Sequence, residues 1–268
     1  MLTRPPLGTF SCGLGAPVLL LPWFGLDGTV LASAFEPAFG QLEGVALNVG
    51  WRRLYLDLPG TGDSDPVAPS SDAVLDAVEE TVETLLGDSP FLLAGCSYGG
   101  YLASGLARRR PEQVQGMVLI CSGVRIRPET RNLTGVLPSR PEPGWLDTTP
   151  PELHEHFRTA VGNQTQIVAD RLAAAFARNA PTDDAFLMRL RASGYPLSDE
   201  ESAEPFDGPV ALLTGRRDRI AGYRDQFDAL ARFPQGDYHC LPSAGHYLPF
   251  EEPALFAALL GEWLRRRH

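Results

Sequence analysis

The sequence predicts an α/β fold: a parallel sheet with helices on both faces, interrupted once by a helical insertion. Three observations predict it. Short apolar runs rich in Val, Leu and Ile recur along the chain and end in Gly, Pro or Ser, as strands buried on both faces do. Segments of helical period separate them. Between about Val124 and Pro205 the strand signal stops, and it resumes at Val210. Strand alternating with helix is the pattern of a helix-covered parallel sheet.

The apolar runs fall at residues 18–21, 54–58, 91–94, 117–120 and 210–213. A more polar run at 238–241 suits a strand nearer the sheet edge. Between them, Val74, Val78, Val82 and Leu85 share one helical face, with Glu79, Glu80 and Glu83 on others. The stretch 98–110 is the next helix, stopped by Pro111. Residues 253–267 close the chain, with Pro253 at a helix start, where its missing N–H costs nothing. The insertion opens with an irregular stretch holding Pro128, Pro138, Pro141, Pro143, Pro150 and Pro151. Three helices follow at 152–161, 165–178 and 183–192, the second repeating Val168, Leu172 and Phe176. The expected organisation is a core of residues 1–123 and 206–268, with 124–205 as a helical cap. Such a cap would lie over the sheet's C-terminal edge, where open α/β sheets bind ligands.

Composition narrows the function. The chain has 268 residues and a net charge of −10, which disfavours nucleic acid because phosphate binding needs a concentrated basic surface. The two basic runs, Arg108-Arg109-Arg110 and Arg265-Arg266-Arg267, fall at helix C-termini, where cations suit the helix dipole. All 23 basic side chains are Arg. Without lysine there is no Schiff-base chemistry of the usual pyridoxal phosphate kind and no P-loop. Cys12, Cys96, Cys121 and Cys240 lie far apart with no metal-like spacing, as scattered core residues of a reducing compartment would. The apolar stretch 18–24 is seven residues long and broken by Pro22, too short for a membrane span. The expectation is a cytoplasmic protein that meets a small-molecule substrate and uses no metal or organic cofactor.

The strongest local signal is Gly95-Cys96-Ser97-Tyr98-Gly99-Gly100, which fits G-x-S-x-G between an apolar strand and a helix. A nucleophile on a tight strand-to-helix turn sits in strained backbone, so its neighbours two before and two after must be tiny. The turn aims the Ser97 hydroxyl into the cleft. It also places the Tyr98 N–H at the positive end of a helix, where it can stabilise an oxyanion. Cys96 is a rival on chemistry alone, but its place before the centre of the turn points it into strand packing.

A serine nucleophile needs a base, and histidine is the side chain suited to it near neutral pH. His268 is terminal, His239 lies in the last strand, and His154 and His156 on an inserted helix read as solvated. His246, in Ser243-Ala244-Gly245-His246-Tyr247, opens on the same sheet edge as Ser97. Asp218 follows the strand at 210–213 through Thr214-Gly215-Arg216-Arg217 and reaches that edge too. The other common acid position holds Cys121-Ser122-Gly123, and Asp225 and Asp228 read as exposed helix residues.

The order Ser97, Asp218, His246, the nucleophile turn, and Asp57-Leu58-Pro59-Gly60-Thr61-Gly62-Asp63-Ser64 after an early strand together resemble the capped α/β-hydrolase superfamily. The resemblance spans nearly the whole chain except the insertion. It implies an eight-stranded, mostly parallel sheet and a site between core and cap. Ser97 argues against the branches of the superfamily that use an aspartate nucleophile. One departure stands out. Where many relatives carry His-Gly after the first core strand, this chain has Pro22-Trp23-Phe24-Gly25. The matching oxyanion donor is the Phe24 backbone N–H, while Trp23 shapes either the pocket or the packing.

The sequence therefore predicts a Ser-His-Asp hydrolase acting through an acyl-enzyme on a small or medium ester, thioester, lactone or related carbonyl compound. The same fold hosts other functions. The alternatives are a non-hydrolytic, cofactor-free enzyme of secondary metabolism and a binding module with a vestigial triad.

Overall fold

The computed structural model describes residues 5–43, 50–202 and 204–266; Arg267 and His268 lie outside them. Its elements are β1 (Thr9–Cys12), β2 (Ala16–Leu21), α1 (Gly28–Glu43), β3 (Trp51–Leu56), α2 (Ser71–Leu86), β4 (Phe91–Cys96), α3 (Tyr98–Arg109) and β5 (Val114–Ile120). After these come α4 (His154–Ala160), α5 (Gln166–Phe176), α6 (Asp184–Ser193), β6 (Val210–Gly215), α7 (Arg224–Asp228), β7 (Gly236–Leu241), α8 (Leu248–Glu251) and α9 (Pro253–Arg265). No described helix is long and apolar enough to cross a membrane.

The strands form one sheet in the order β1-β3-β2-β4-β5-β6-β7. Every neighbouring pair is parallel except β1 with β3. Seven strands thus stand among the described residues where the family resemblance implies eight; no apolar run in the sequence marked an eighth. The short, half-exposed edge strand β1 was not anticipated, because four residues of mixed burial carry no periodic signal. Helix α1 was also missed. It carries Pro37 in its interior, a residue that normally argues against helix.

Alternation along β2 builds two cores. Val18 and Leu20 face a cluster with Val30, Phe35 and Phe39 of α1 and Phe256 and Leu260 of α9. Leu19 and Leu21 face the other side, with Val74 and Val78 of α2 and Leu102 and Leu106 of α3. This is the two-residue period of a strand buried on both faces. The inserted helices divide between the cores: Phe157 of α4 and Leu172 of α5 join the first, Phe186 and Leu190 of α6 the second.

Topology locates a candidate crevice. From β2 the chain steps to β3 on one side, then crosses to β4 on the other. The strand order reverses between the C-terminal ends of β2 and β4, the place where open α/β sheets bind ligands. Phe24 follows β2, and Ser97 follows β4.

The segment 57–64 is a brace. Asp57 accepts hydrogen bonds from Gly28 N–H (2.8 Å) at the start of α1 and Asp63 N–H (2.9 Å), and its carbonyl accepts one from the Ser64 hydroxyl (2.7 Å). Gly62 has φ 52°, and a Cβ there would lie 2.2 Å from the Asp57 carboxylate. The basic run at the end of α3 is ion-paired, Arg109 with Asp76 and Arg110 with Glu79 and Glu83, all on α2. Two glycine substitutions check this reading of the backbone. Gly62→Ala should lower stability by about 1–3 kcal/mol or more, through left-handed strain and the clash. Gly40→Ala, in α1 with open space around it, should raise stability by about 0.5–1 kcal/mol. Urea unfolding midpoints that shift in the same direction for both would contradict it.

Candidate active site

The turn at Ser97 is held by close backbone approach. Ser97 has φ 54° and ψ −115°, a region side chains rarely occupy. Gly87, which ends α2, sits at nearly the same angles, φ 53° and ψ −126°, and is a glycine. Three bonds hold Ser97 there: its N–H donates to Ile120 O (2.9 Å), and its carbonyl accepts from Tyr101 N–H (3.0 Å) and Gly123 N–H (3.1 Å). A Cβ on Gly95 would lie 2.5 Å from Gly99 O, and one on Gly99 would lie 2.2 Å from Leu21 O. Both positions therefore need glycine. Cys96 is fully buried in the strand packing, and burial pushes its thiol up, so it offers no thiolate to a substrate.

The structure brings Ser97, His246 and Asp218 together. His246 Nε2 lies 2.9 Å from Ser97 Oγ, and His246 Nδ1 lies 3.0 Å from Asp218 Oδ2. The other carboxylate oxygen accepts N–H bonds from Ile220 (2.8 Å) and Ala221 (3.0 Å). Asp218 is 0% exposed and His246 4%. An ionised carboxylate only accepts, so the imidazole proton belongs on Nδ1, leaving Nε2 to accept from the serine hydroxyl. This arrangement can deprotonate a hydroxyl as it attacks a carbonyl carbon.

Phe24 sits at the tip of a turn closed by Leu26 N–H to Trp23 O (3.2 Å), with Gly25 at φ 75°. Among the described residues, no protein acceptor takes the N–H of Phe24 or of Tyr98. The Phe24 ring packs edge-on against Tyr98 (5.4 Å) and Tyr195 (5.5 Å), under the Arg191 guanidinium (4.5 Å). Trp23 is buried. It packs on Tyr247 and Phe250 and donates its indole N–H to His246 O (3.4 Å). Its part is thus packing and support of the histidine loop.

Some readings need correction. His156 is exposed, as the sequence suggests, yet it is not without a partner: its Nε2 lies 2.7 Å from the Tyr247 hydroxyl. Asp225 is buried and accepts a bond from Asn132 N–H (2.8 Å). Two neighbours of the site were not assigned to it from the sequence. Cys121, at φ 44° just after β5, places its buried thiol 3.3 Å from Gly245 O. Glu251 is a buried carboxylate five residues after His246. Only its spacing from the histidine could have flagged it. Among the described residues, Cys121, Asp218 and His246 form a cluster tight enough for an ion, their donor atoms within 4.8 Å of one another. Yet Asp218 and His246 are spent on each other, and burial pushes the Cys121 thiol up, toward its protonated form. The set fits a hydrogen-bonded triad better than a metal centre.

Comparison with known proteins agrees with this architecture. The model of the alpha/beta hydrolase family matches residues 18–259. The chain is similar to a pimeloyl-[acyl-carrier protein] methyl ester esterase of Shewanella sp. (strain MR-7), 28% identical over 212 residues, 79% of this chain and 67% of that protein. It is also similar to an alpha/beta superfamily hydrolase from Oenococcus oeni PSU-1, with TM-score 0.85 and 28% identity over 100% of this chain and 98% of that one. A thermophilic esterase from Thermogutta terrifontis shares the fold, with TM-score 0.73 and 23% identity over 98% and 94% of the two chains.

The strain at Ser97 has a measurable consequence. Ser97→Gly should be more stable than Ser97→Ala by about 1–3 kcal/mol, less the extra chain entropy of glycine. In an ordinary strand or helix the order reverses, so an alanine variant equal to or more stable than the glycine variant in urea unfolding would contradict the strained turn.

Proposed function

The chain belongs to the alpha/beta hydrolase family, and from that premise we propose that it is a serine esterase working through Ser97, His246 and Asp218. The observation that carries the reading is the continuous hydrogen-bond path Ser97 Oγ–His246–Asp218, next to two uncommitted backbone N–H groups at the sheet's switch point. Ser97 Oγ attacks the ester carbonyl carbon while His246 Nε2 takes its proton. The carbonyl oxygen becomes an oxyanion held by the N–H groups of Phe24 and Tyr98. Asp218 holds the ring and stabilises the imidazolium. The imidazolium gives its proton to the leaving alcohol as the C–O bond breaks, and the acyl group stays on Ser97. A water molecule, deprotonated by His246, then attacks the acyl carbon, and the imidazolium returns that proton to Ser97 Oγ as the Oγ–C bond breaks and the acid leaves.

Residues 124–205 serve as the cap that bounds the acyl pocket, with Phe24, Tyr98 and Tyr195 as its aromatic wall. Esters of small or medium acids are the first substrates to test, since the curated relative named above is a methyl ester esterase. Thioesters and lactones share the attacked carbonyl and follow.

Two variants test the machinery. Ser97→Ala should lose on the order of a million-fold in kcat on p-nitrophenyl esters, because the triad acts as a unit. It should also lose labelling by a fluorophosphonate. Residual activity within tenfold of the parent sinks the assignment, and slow or absent labelling of the parent points to a binding module instead. Phe24→Pro removes one oxyanion donor at the turn position where proline is favoured before a positive-φ glycine. Its kcat should fall about 10²- to 10³-fold, while Phe24→Ala, which keeps the N–H, should alter mainly KM. Equal kcat values for the two would remove Phe24 from the oxyanion hole.

A further inference from the structure

Glu251, the last residue of α8, is 3% exposed, and among the described residues its carboxylate is met only by backbone N–H groups. Oε2 accepts from Gly162, Asn163 and Gly245, each at 2.8 Å, and Oε1 accepts from Tyr247 at 3.0 Å. Two donors flank His246, and the other two lie just beyond the end of α4, more than 80 residues earlier in the chain. The two segments touch backbone to backbone. A Cβ on Gly245 would lie 2.4 Å from Ala160 O and from Gly162 N, and one on Gly162 would lie 2.5 Å from Gly245 N. His246 N–H itself donates to Ala160 O (2.8 Å). The aspartate loop joins the same junction: Arg217 donates its side chain to Gly162 O (3.2 Å) and its N–H to Ala244 O (2.9 Å).

Sealing a carboxylate away from water costs several kcal/mol. Burial pushes Glu251 up to about 7 even against its four N–H donors. An apolar side chain would cover the end of α8 at less cost, but it would leave four amide donors without acceptors. The carboxylate is therefore spent on fixing two loops to each other.

We propose that Glu251 is a positioning residue for the base, clamping the His246 loop onto the segment that follows α4 so that His246 Nε2 stays aligned on Ser97. The proposal rests on the serine-esterase reading above. It predicts that the alignment of the base is controlled from the inserted segment, through Gly162 and Asn163, as well as from Asp218.

The test is Glu251→Gln, which keeps volume and one acceptor oxygen but turns an amide N–H₂ toward backbone donors. Assayed well below its unfolding midpoint, it should lose on the order of 10- to 100-fold in kcat, the scale of a misplaced catalytic group. KM should stay within about threefold, and the fluorophosphonate labelling rate of Ser97 should fall in parallel. Glu251→Asp, which restores the charge, should recover part of kcat. A role confined to stability lowers only the midpoint, so a kcat within twofold of the parent overturns the proposal. Should neither variant fold, amide hydrogen exchange on the parent decides. Gly162, Asn163, Gly245 and Tyr247 should be protected as one set, and independent fast exchange overturns it. Ser97→Ala run alongside separates the two readings. Turnover surviving that change removes the esterase reading itself, whereas its loss beside an unchanged Glu251→Gln removes only the clamp.

Discussion

The contact on which the site depends is between two backbones: the first turn of α3 lies directly against the end of β2. Gly99 comes so close to Leu21 O that even a methyl group would overlap it, at 2.2 Å. That approach has two effects at once. It forces the chain from β4 into α3 through the strained Ser97 conformation, and it brings Tyr98 beside Phe24 across the crevice where the strand order reverses. The proposed nucleophile and both proposed oxyanion donors are consequences of one steric fact. Their relative positions are set before any side chain is chosen, which is how a site becomes preorganised.

Buried carboxylates then tie the loops to this frame. Asp57, Asp218 and Glu251 are all nearly inaccessible, and each is satisfied chiefly by backbone N–H groups rather than by an arginine. Such bonds are directional and short, and a lost partner leaves an unpaired buried charge costing several kcal/mol. They are costly as stabilisers and effective as positioning devices. Asp57 sets the brace after β3 against the start of α1, Asp218 turns an imidazole, and Glu251 joins two loops. Arg109 and Arg110 instead pair α3 with α2, and Arg191 and Arg216 lie on aromatic faces.

Much of this was legible in the sequence because the relevant constraints are local. The runs of Val and Leu marked the central strands, since strands buried on both faces have no polar alternation to disguise them. The two glycines flanking Ser97 marked the turn, since only close backbone approach demands them. His246 and Asp218 could be placed because parallel strands deliver their C-terminal loops to one edge. What escaped depends on contacts between distant segments. Glu251 looks like any acidic residue near a helix, and its four donors come from loops the sequence does not pair. Asp225 sits on a short helix whose burial is decided by neighbours packing from elsewhere. Helix α1 was hidden by Pro37, and β1 by its brevity.

The dispersal of the site along the chain has a further consequence. Phe24, Ser97, Asp218 and His246 follow β2, β4, β6 and β7 respectively, and of these only β6 and β7 are consecutive strands in the chain. Their relative heights at the sheet edge are set by the registers Leu21 with Gly95, Cys96 with Ile120, Ile120 with Leu213 and Gly215 with Leu241. A slip of one residue in any of these pairs would turn a strand's apolar side chains to the opposite core. Both cores are filled, with β2 alone contributing two fully or nearly fully buried residues to each. The same packing that makes the sheet stable therefore sets the distance between His246 and Ser97. Inserted helices packed into both cores extend that constraint across the crevice, so the geometry around Ser97 is a property of the whole fold rather than of its loops.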